Sequence, residues 1–271
     1  MRRIGSTPFA FPGFTGATRQ LVLLNLCTYF ALLLIRLASA PAAGQLSYLL
    51  AFEPDKFFHG GIWQPFTYSF VHFGLLETLF ELLSLWFLAG FLEGFHDANW
   101  VLWLYGVSVL GTAGAAALID LAGGVFGFSP APIPLYGCFG GIFGLLVAIG
   151  VLYGETEFLL FFVIGMKAKY MAIIFGLIAI AMLFGEQRMY AFAELGGAAA
   201  GLLYVRSAPR RGMSFAMSEG WYGLRNRYYR WKRRRAARKF EVYMRSQGRT
   251  VRFDGEGKRI DEDPNDKTRW N

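Results

Sequence analysis

Three glutamates stand inside otherwise apolar stretches: Glu77 and Glu81, four residues apart, and Glu194. A carboxylate in such a place can hold a proton, bind a hard cation or tie helices together. In lipid each ionisable group costs about 2.5–3.5 kcal/mol to insert and normally faces a bundle interior or a wet cavity. Glu77 and Glu81 share one helix face. Apart from Arg36 at the end of a stretch, no Lys or Arg lies inside these segments to pair with them. The expectation is therefore of protonated or water-bonded groups linking helices, with proton or cation handling as the sharper alternative. Cys138 is a nucleophile by type, but no histidine follows His96 to activate it. His72 stands five residues before Glu77 and off its face, so no metal site is expected, and no cofactor.

The elements that would carry these residues are membrane helices. Of 271 residues 55% are hydrophobic and 17% charged, against roughly 25% charged in soluble domains, and the mean hydropathy is +0.36. Disorder, collagen and coiled coil are excluded by the same composition. The two cysteines, Cys27 and Cys138, lie in apolar runs and rule out a disulfide scaffold. A helix crossing the hydrocarbon core needs about 20 mostly apolar residues. Six stretches qualify or come near: Gln20–Leu37, Phe66–Leu92, Trp100–Leu121, Leu135–Tyr153, Tyr170–Phe184 and Tyr190–Val205. The last two are short and are read as separate spans joined by a tight turn at Glu186, Gln187 and Arg188. The fold class expected is all-α, a polytopic bundle of six transmembrane helices.

Charge gives the orientation. Residues 1–205 carry a net −3 and residues 206–271 a net +11. Arg2, Arg3 and Arg19 before the first span place the N-terminus in the cytoplasm under the positive-inside rule. Lys167 and Lys169 fall in a cytoplasmic connection, and six spans return the basic tail to the same side. No small-residue cleavage site follows a short apolar core, so the first span is read as retained. The loop from Ser39 to Pro65 is rich in Leu and Phe, carries Trp63 and is expected to lie in the membrane interface.

Small residues recur in the fourth and sixth stretches. Gly137, Gly140 and Gly144 stand in one, Gly197 and Gly201 in the other. Four-residue spacing lines one helix face and lets two backbones approach closely. These two helices are expected to pack together at the centre.

Taken jointly, three blocks resemble the rhomboid family of intramembrane serine proteases. Gln64-Pro65-Phe66-Thr67-Tyr68-Ser69-Phe70-Val71-His72, continuing to Leu83-Ser84-Leu85-Trp86-Phe87 and Glu93, is similar to its second span. Gly137 to Leu145 resembles the fourth and Ala193 to Gly201 the sixth. The resemblance covers about residues 20–205 and implies a six-helix scaffold. An active member implies Gly-x-Ser-Gly in the fourth span, a base histidine in the sixth and a His-x-x-x-Asn pair in the second that helps hold the oxyanion. The matching positions here are Phe139 for the serine, Glu194 for the base, and Glu77 and Glu81 for the pair. Moving the register to put Cys138 at the nucleophile turns the side chain by about 100° on a helix and still supplies no base. Serine-type hydrolysis needs nucleophile, base and oxyanion donors, and a carboxylate would repel the oxyanion. The resemblance thus implies a proteolytically inactive member that binds transmembrane helices of client proteins, with Glu77, Glu81, Cys138, Phe139 and Glu194 around one cavity. A peptidase with non-standard residues and a carboxylate-lined ion handler are the alternatives.

From Ser218 to Arg245 the tail is basic and aromatic, with Trp221, Tyr222, Tyr228, Tyr229, Trp231 and the run Lys232-Arg233-Arg234-Arg235. No Pro or Gly interrupts Leu224 to Gln247, which predicts a helix. Its expected partners are anionic lipid headgroups, at about 1 kcal/mol per basic residue near the surface. No nucleic-acid motif accompanies the charge. Asp254 to Asn271 is polar and mixed in charge and reads as disordered. The expected organisation is a cytoplasmic segment over residues 1–19, a membrane domain over 20–206 and a tail over 207–271, in the lipid bilayer of a bacterial inner membrane, with both termini cytoplasmic.

Overall fold

The computed structural model describes residues 12–126, 134–160, 164–185, 188–207, 213–248 and 253. The N-terminal arginines Arg2 and Arg3, the Glu186–Gln187 turn and the polar stretch from Asp254 lie outside the described residues. The chain divides into two compact units, one up to Gly212 and one from Met213.

Helices dominate the first unit. Helix α1 covers Gly16–Ala38, and α2 (Ala40–Leu50), α3 (Pro54–Phe58) and α4 (Gln64–Thr67) fold the first loop. Helices α5 (Leu75–Glu93), α6 (Ala98–Phe126), α7 (Phe139–Leu152), α8 (Ala168–Met182) and α9 (Arg188–Ser207) follow. Helices α1 and α5, and α6 from Ala98 to Gly123, are long and apolar enough to cross a membrane, while α7 and α8 are shorter apolar helices.

Two predicted spans begin later than their hydrophobicity suggests. The second was expected from Phe66, yet α5 starts at Leu75. Between them lie α4, a single 3-10 turn at Tyr68–Phe70 and an extended stretch that ends at Gly74, the residue before the helix. Apolarity alone cannot separate a buried loop from a helix, and here Val71 and His72 are buried in extended or loop conformation. The fourth span was expected from Leu135. Leu135 instead pairs antiparallel with Phe52 through two backbone bonds of 2.8 and 3.0 Å, and α7 starts at Phe139.

The first loop is closed on itself by side chains. The last turn of any helix leaves carbonyls without partners. Those of α2 are met by the Trp63 indole donating to Leu49 (3.1 Å), the Gln64 amide donating to the same carbonyl (3.4 Å) and the Thr67 hydroxyl donating to Leu50 (2.7 Å). This bonding makes the segment from Ser39 to Pro65 an ordered platform rather than a linker.

At the opposite end, Glu93 closes the bundle. Its carboxylate accepts from the backbone N–H of Ala17 (3.2 Å) and Thr18 (2.9 Å) and from the Thr18 hydroxyl (2.7 Å). An anion at a helix N-terminus satisfies orphan donors and meets the positive end of the dipole. The last residue of α5 therefore caps the first turn of α1.

The centre is a three-helix seam of small residues. Helices α7 and α9 meet where a Cβ on Gly201 would fall 2.7 Å from Gly144 Cα, and one on Gly197 2.8 Å from the Gly140 carbonyl. Helix α6 enters the same seam: a Cβ on Gly144 would fall 1.8 Å from Ser108 Oγ. Any side chain there must move backbone. In lipid, such close approach supplies the packing that hydrophobicity between helices cannot.

Between α7 and α8 a short antiparallel hairpin pairs β1 (Glu157–Leu160) with β2 (Ile164–Lys167), in register Glu157 to Lys167. Just before it, the exposed Glu155 accepts from Lys167 (2.8 Å) and from Lys169. These bonds hold the Glu155 carboxyl down at about 2. The second unit holds one long helix, α10 (Met213–Ser246), followed by Gly248 at φ +73°. Its described side chains from Arg225 are almost all exposed, with the Arg235 guanidinium 5.4 Å from the Trp231 ring centroid.

Candidate functional site

The site is built around one turn. Gly137 has φ +85°, a left-handed conformation that a side chain would strain. Its N–H is shared between the carbonyls of Tyr68 (3.1 Å) and Val71 (2.9 Å), which docks the turn onto the segment before α5. Tyr68 is in turn anchored to α6, its hydroxyl donating to the Val109 carbonyl at 2.9 Å. A Cβ at position 137 would also press on both Glu81 carboxylate oxygens, at 2.9 and 3.0 Å. Glycine is required here twice over, for the turn and for the space.

Glu81 lies beneath the turn and is sealed, with 1% exposure. The Cys138 backbone N–H donates to its Oε2 at 2.6 Å, so this carboxylate occupies the first free donor at the start of α7. The ring of His72 comes against the same oxygen, with Nδ1 3.4 Å away. The far ring nitrogen, Nε2, is 2.9 Å from Asn25 Oδ1, and the Asn25 amide donates to the Leu21 carbonyl at 2.8 Å. A polar line thus runs from α1 through His72 to Glu81 and the start of α7. The Cys138 thiol joins it: ligating atoms of His72, Glu81 and Cys138 all lie within 4.8 Å of one another.

On the other side of the turn is a small cavity of about 10 Å³, room for about one water. Tyr68, Thr112, Gly137, Phe139, Tyr190 and Glu194 are among its walls. Phe139, the first residue of α7, is 36% exposed there. Glu194, on α9, is half-buried. Two of the cavity's walls are aromatic: Tyr136 lies edge-on to Tyr190 at 5.7 Å, and on to Phe73 at 4.7 Å. The Tyr190 hydroxyl donates to the Pro134 carbonyl at 2.5 Å.

The expected grouping is therefore divided. Phe139 and Glu194 share the cavity, but of the three glutamates only Glu194 lines it. Glu81 and Cys138 are buried behind the turn, and Glu77 is exposed in the first turn of α5. The reason is the late start of α5, which leaves Glu77 near the helix mouth and Glu81 one turn deeper. Gly137, Gly140, Gly144, Gly197 and Gly201 are all buried.

Two partners escaped the sequence reading. Asn25 is a polar residue within an apolar span and could have been found by the rule that singled out the glutamates. His72 was measured only against Glu77, whereas extended backbone carries it to Glu81. The hydroxyls of Ser108 and Thr112, i and i+4 on α6, donate to the carbonyls of Leu104 and Ser108 and line the seam.

Against known families, residues 59–210 match the rhomboid domain, just over half of the chain. No curated protein matches the chain.

Proposed function

The chain belongs to the rhomboid family, and from that premise we propose that it is a proteolytically inactive member that binds transmembrane helices of client proteins. One observation carries the reading. Phe139 and Glu194, at the positions of the family's nucleophile and base, line one cavity with room for about one water. A phenyl ring has no lone pair to attack a carbonyl. A carboxylate at Glu194 has nothing to deprotonate, and Glu77 and Glu81, in place of the oxyanion-holding pair, offer acceptors where donors are needed. The scaffold around them is kept: an ordered first loop, a turn docked on the α5 segment and a close-packed seam. Those are the features that hold a surface for a helix, independent of chemistry.

The reading includes a six-span membrane domain over residues 20–206, made from α1, α5, α6, α7, α8 and α9. The shortest of these, α7 at 14 residues, is about 21 Å long and relies on flanking loop to complete its passage. Both termini are cytoplasmic, and the basic tail over 207–271 rests on anionic headgroups of a bacterial inner membrane, with α10 as its contact.

The test is cleavage of a fluorogenic transmembrane reporter by the purified protein, with labelling by a serine-reactive phosphonate in parallel. The reading expects neither. Turnover above a no-protein control would instead support a peptidase with non-standard residues.

A further inference from the structure

We propose that His72, Glu81 and Cys138 form a site for one divalent cation of the zinc class. The proposal is independent of whether the chain cleaves or binds clients.

The hydrogen bonds fix the starting point. The Asn25 amide nitrogen donates to the Leu21 carbonyl, which turns its Oδ1 towards His72. An acceptor at Nε2 makes that nitrogen the N–H of the ring and leaves Nδ1 with its lone pair. Nδ1 is buried without a hydrogen-bond partner and faces the Glu81 carboxylate oxygen 3.4 Å away. The His72 and Glu81 side chains are each 1% exposed. Two acceptors confronting each other in a dry interior repel unless something positive lies between them.

A metal ion fits that gap in three respects. Zinc holds nitrogen and oxygen ligands at roughly 2.0–2.1 Å in a tetrahedron; the corresponding tetrahedral edge is about 3.3–3.4 Å, the separation seen between Nδ1 and Oε2. The donor set of imidazole, thiolate and carboxylate is one that zinc accepts and that hard cations such as magnesium do not favour. Charge also closes. The ion brings two positive charges, Cys138 gives up its thiol proton to solvent and contributes one negative, and Glu81 contributes the other. The resulting complex is neutral, as a buried group needs to be. Bringing the thiol to bonding distance takes a shift of about 1 Å from the 4.8 Å envelope of the ligand atoms.

The surroundings complete the site. Asn25 orients the histidine ring in the way that outer partners orient metal-bound imidazoles. A cavity of about 330 Å³, lined by Tyr29, Arg36, Ser47, His72 and Phe73 among others, borders the site at His72 and is the side from which an ion would approach. Among the described residues, no other His, Cys, Asp or Glu joins the group, so the fourth position falls to water. Bound there, the ion would staple the segment before α5, α5 itself and the start of α7.

The experiment uses the full chain, purified in detergent without a polyhistidine tag. Zinc content is measured after dialysis with Zn²⁺, and the Co²⁺ form is examined for a thiolate-to-metal charge-transfer band. The expected result is about one Zn²⁺ per chain and a clear band in both the wild type and Cys27→Ser. Cys138→Ser should lose the band, and His72→Gln should lower Zn²⁺ affinity at least tenfold. Because the chain has two cysteines, a band in Cys27→Ser can come only from Cys138, whatever becomes of the other variants. Absence of that band, or zinc uptake unchanged in Cys138→Ser and His72→Gln, overturns the proposal and leaves a shared proton between His72 and Glu81.

Discussion

Glu81 and Glu194 flank the same turn, at Gly137–Cys138, and their surroundings treat them in opposite ways. Glu81 is sealed, takes the Cys138 N–H at 2.6 Å and stands against His72. Glu194 is half-buried beside a cavity with Phe139 and the Tyr190 ring. In sequence both are simply carboxylates inside an apolar stretch. The difference teaches that one acid has been absorbed into the frame that positions α7, while the other has been left at the wall of a small cavity with Phe139.

Replacing each acid in turn should break the comparison in graded steps. Glu81→Ala leaves the Cys138 N–H without a partner in a dry interior. It should cost about 1–3 kcal/mol, read as a fall in midpoint on denaturant titration in detergent; a loss below about 1 kcal/mol would mean that the buried side contributes nothing to the frame. Glu93→Ala tests a third carboxylate whose role is to cap α1. The expected loss is about 1–2 kcal/mol, with faster hydrogen exchange confined to the first turn of α1. For Glu194→Gln and Glu77→Gln the expected change is below about 1 kcal/mol, since among the described residues neither carboxylate accepts a hydrogen bond that its loss would orphan; a large loss at position 194 would erase the contrast. The smallest effect belongs to Glu155. Its carboxyl is held at about 2 by Lys167 and Lys169, so its contribution is full above the ordinary value of 4.5 and fades as pH falls through that range towards the folded value. The pair is exposed and screened by salt. Intrinsically corrected hydrogen exchange of the β1–β2 hairpin should rise slightly on acidification, and Glu155→Gln should remove that dependence.

Much of this arrangement could be read before any coordinates. The spacing of Gly140, Gly144, Gly197 and Gly201 pointed to close backbone approach, and the distances between α7 and α9 are of that kind. The part played by α6 was hidden because Ser108 and Thr112 look like ordinary polar punctuation in an apolar helix. Their hydroxyls bond back to carbonyls one turn earlier and so cost little to bury. The start of α5 was misplaced for a related reason. Phe66, Tyr68 and Val71 are apolar enough to prolong a helix, and long-range bonds at Gln64, Thr67, Tyr68 and Gly137 hold them in another shape. That error also concealed His72, since a helical reading turns its ring away from both glutamates.

The reading proposed for this chain is that its surface around Phe139 meets a client helix without cutting it. The most direct measurement replaces Phe139 with the photoreactive p-benzoylphenylalanine and irradiates intact cells. The account predicts crosslinks to full-length membrane proteins at a transmembrane segment, with no shortened product whose amount depends on this chain. Truncated clients that accumulate with the wild type and vanish with its deletion would contradict it.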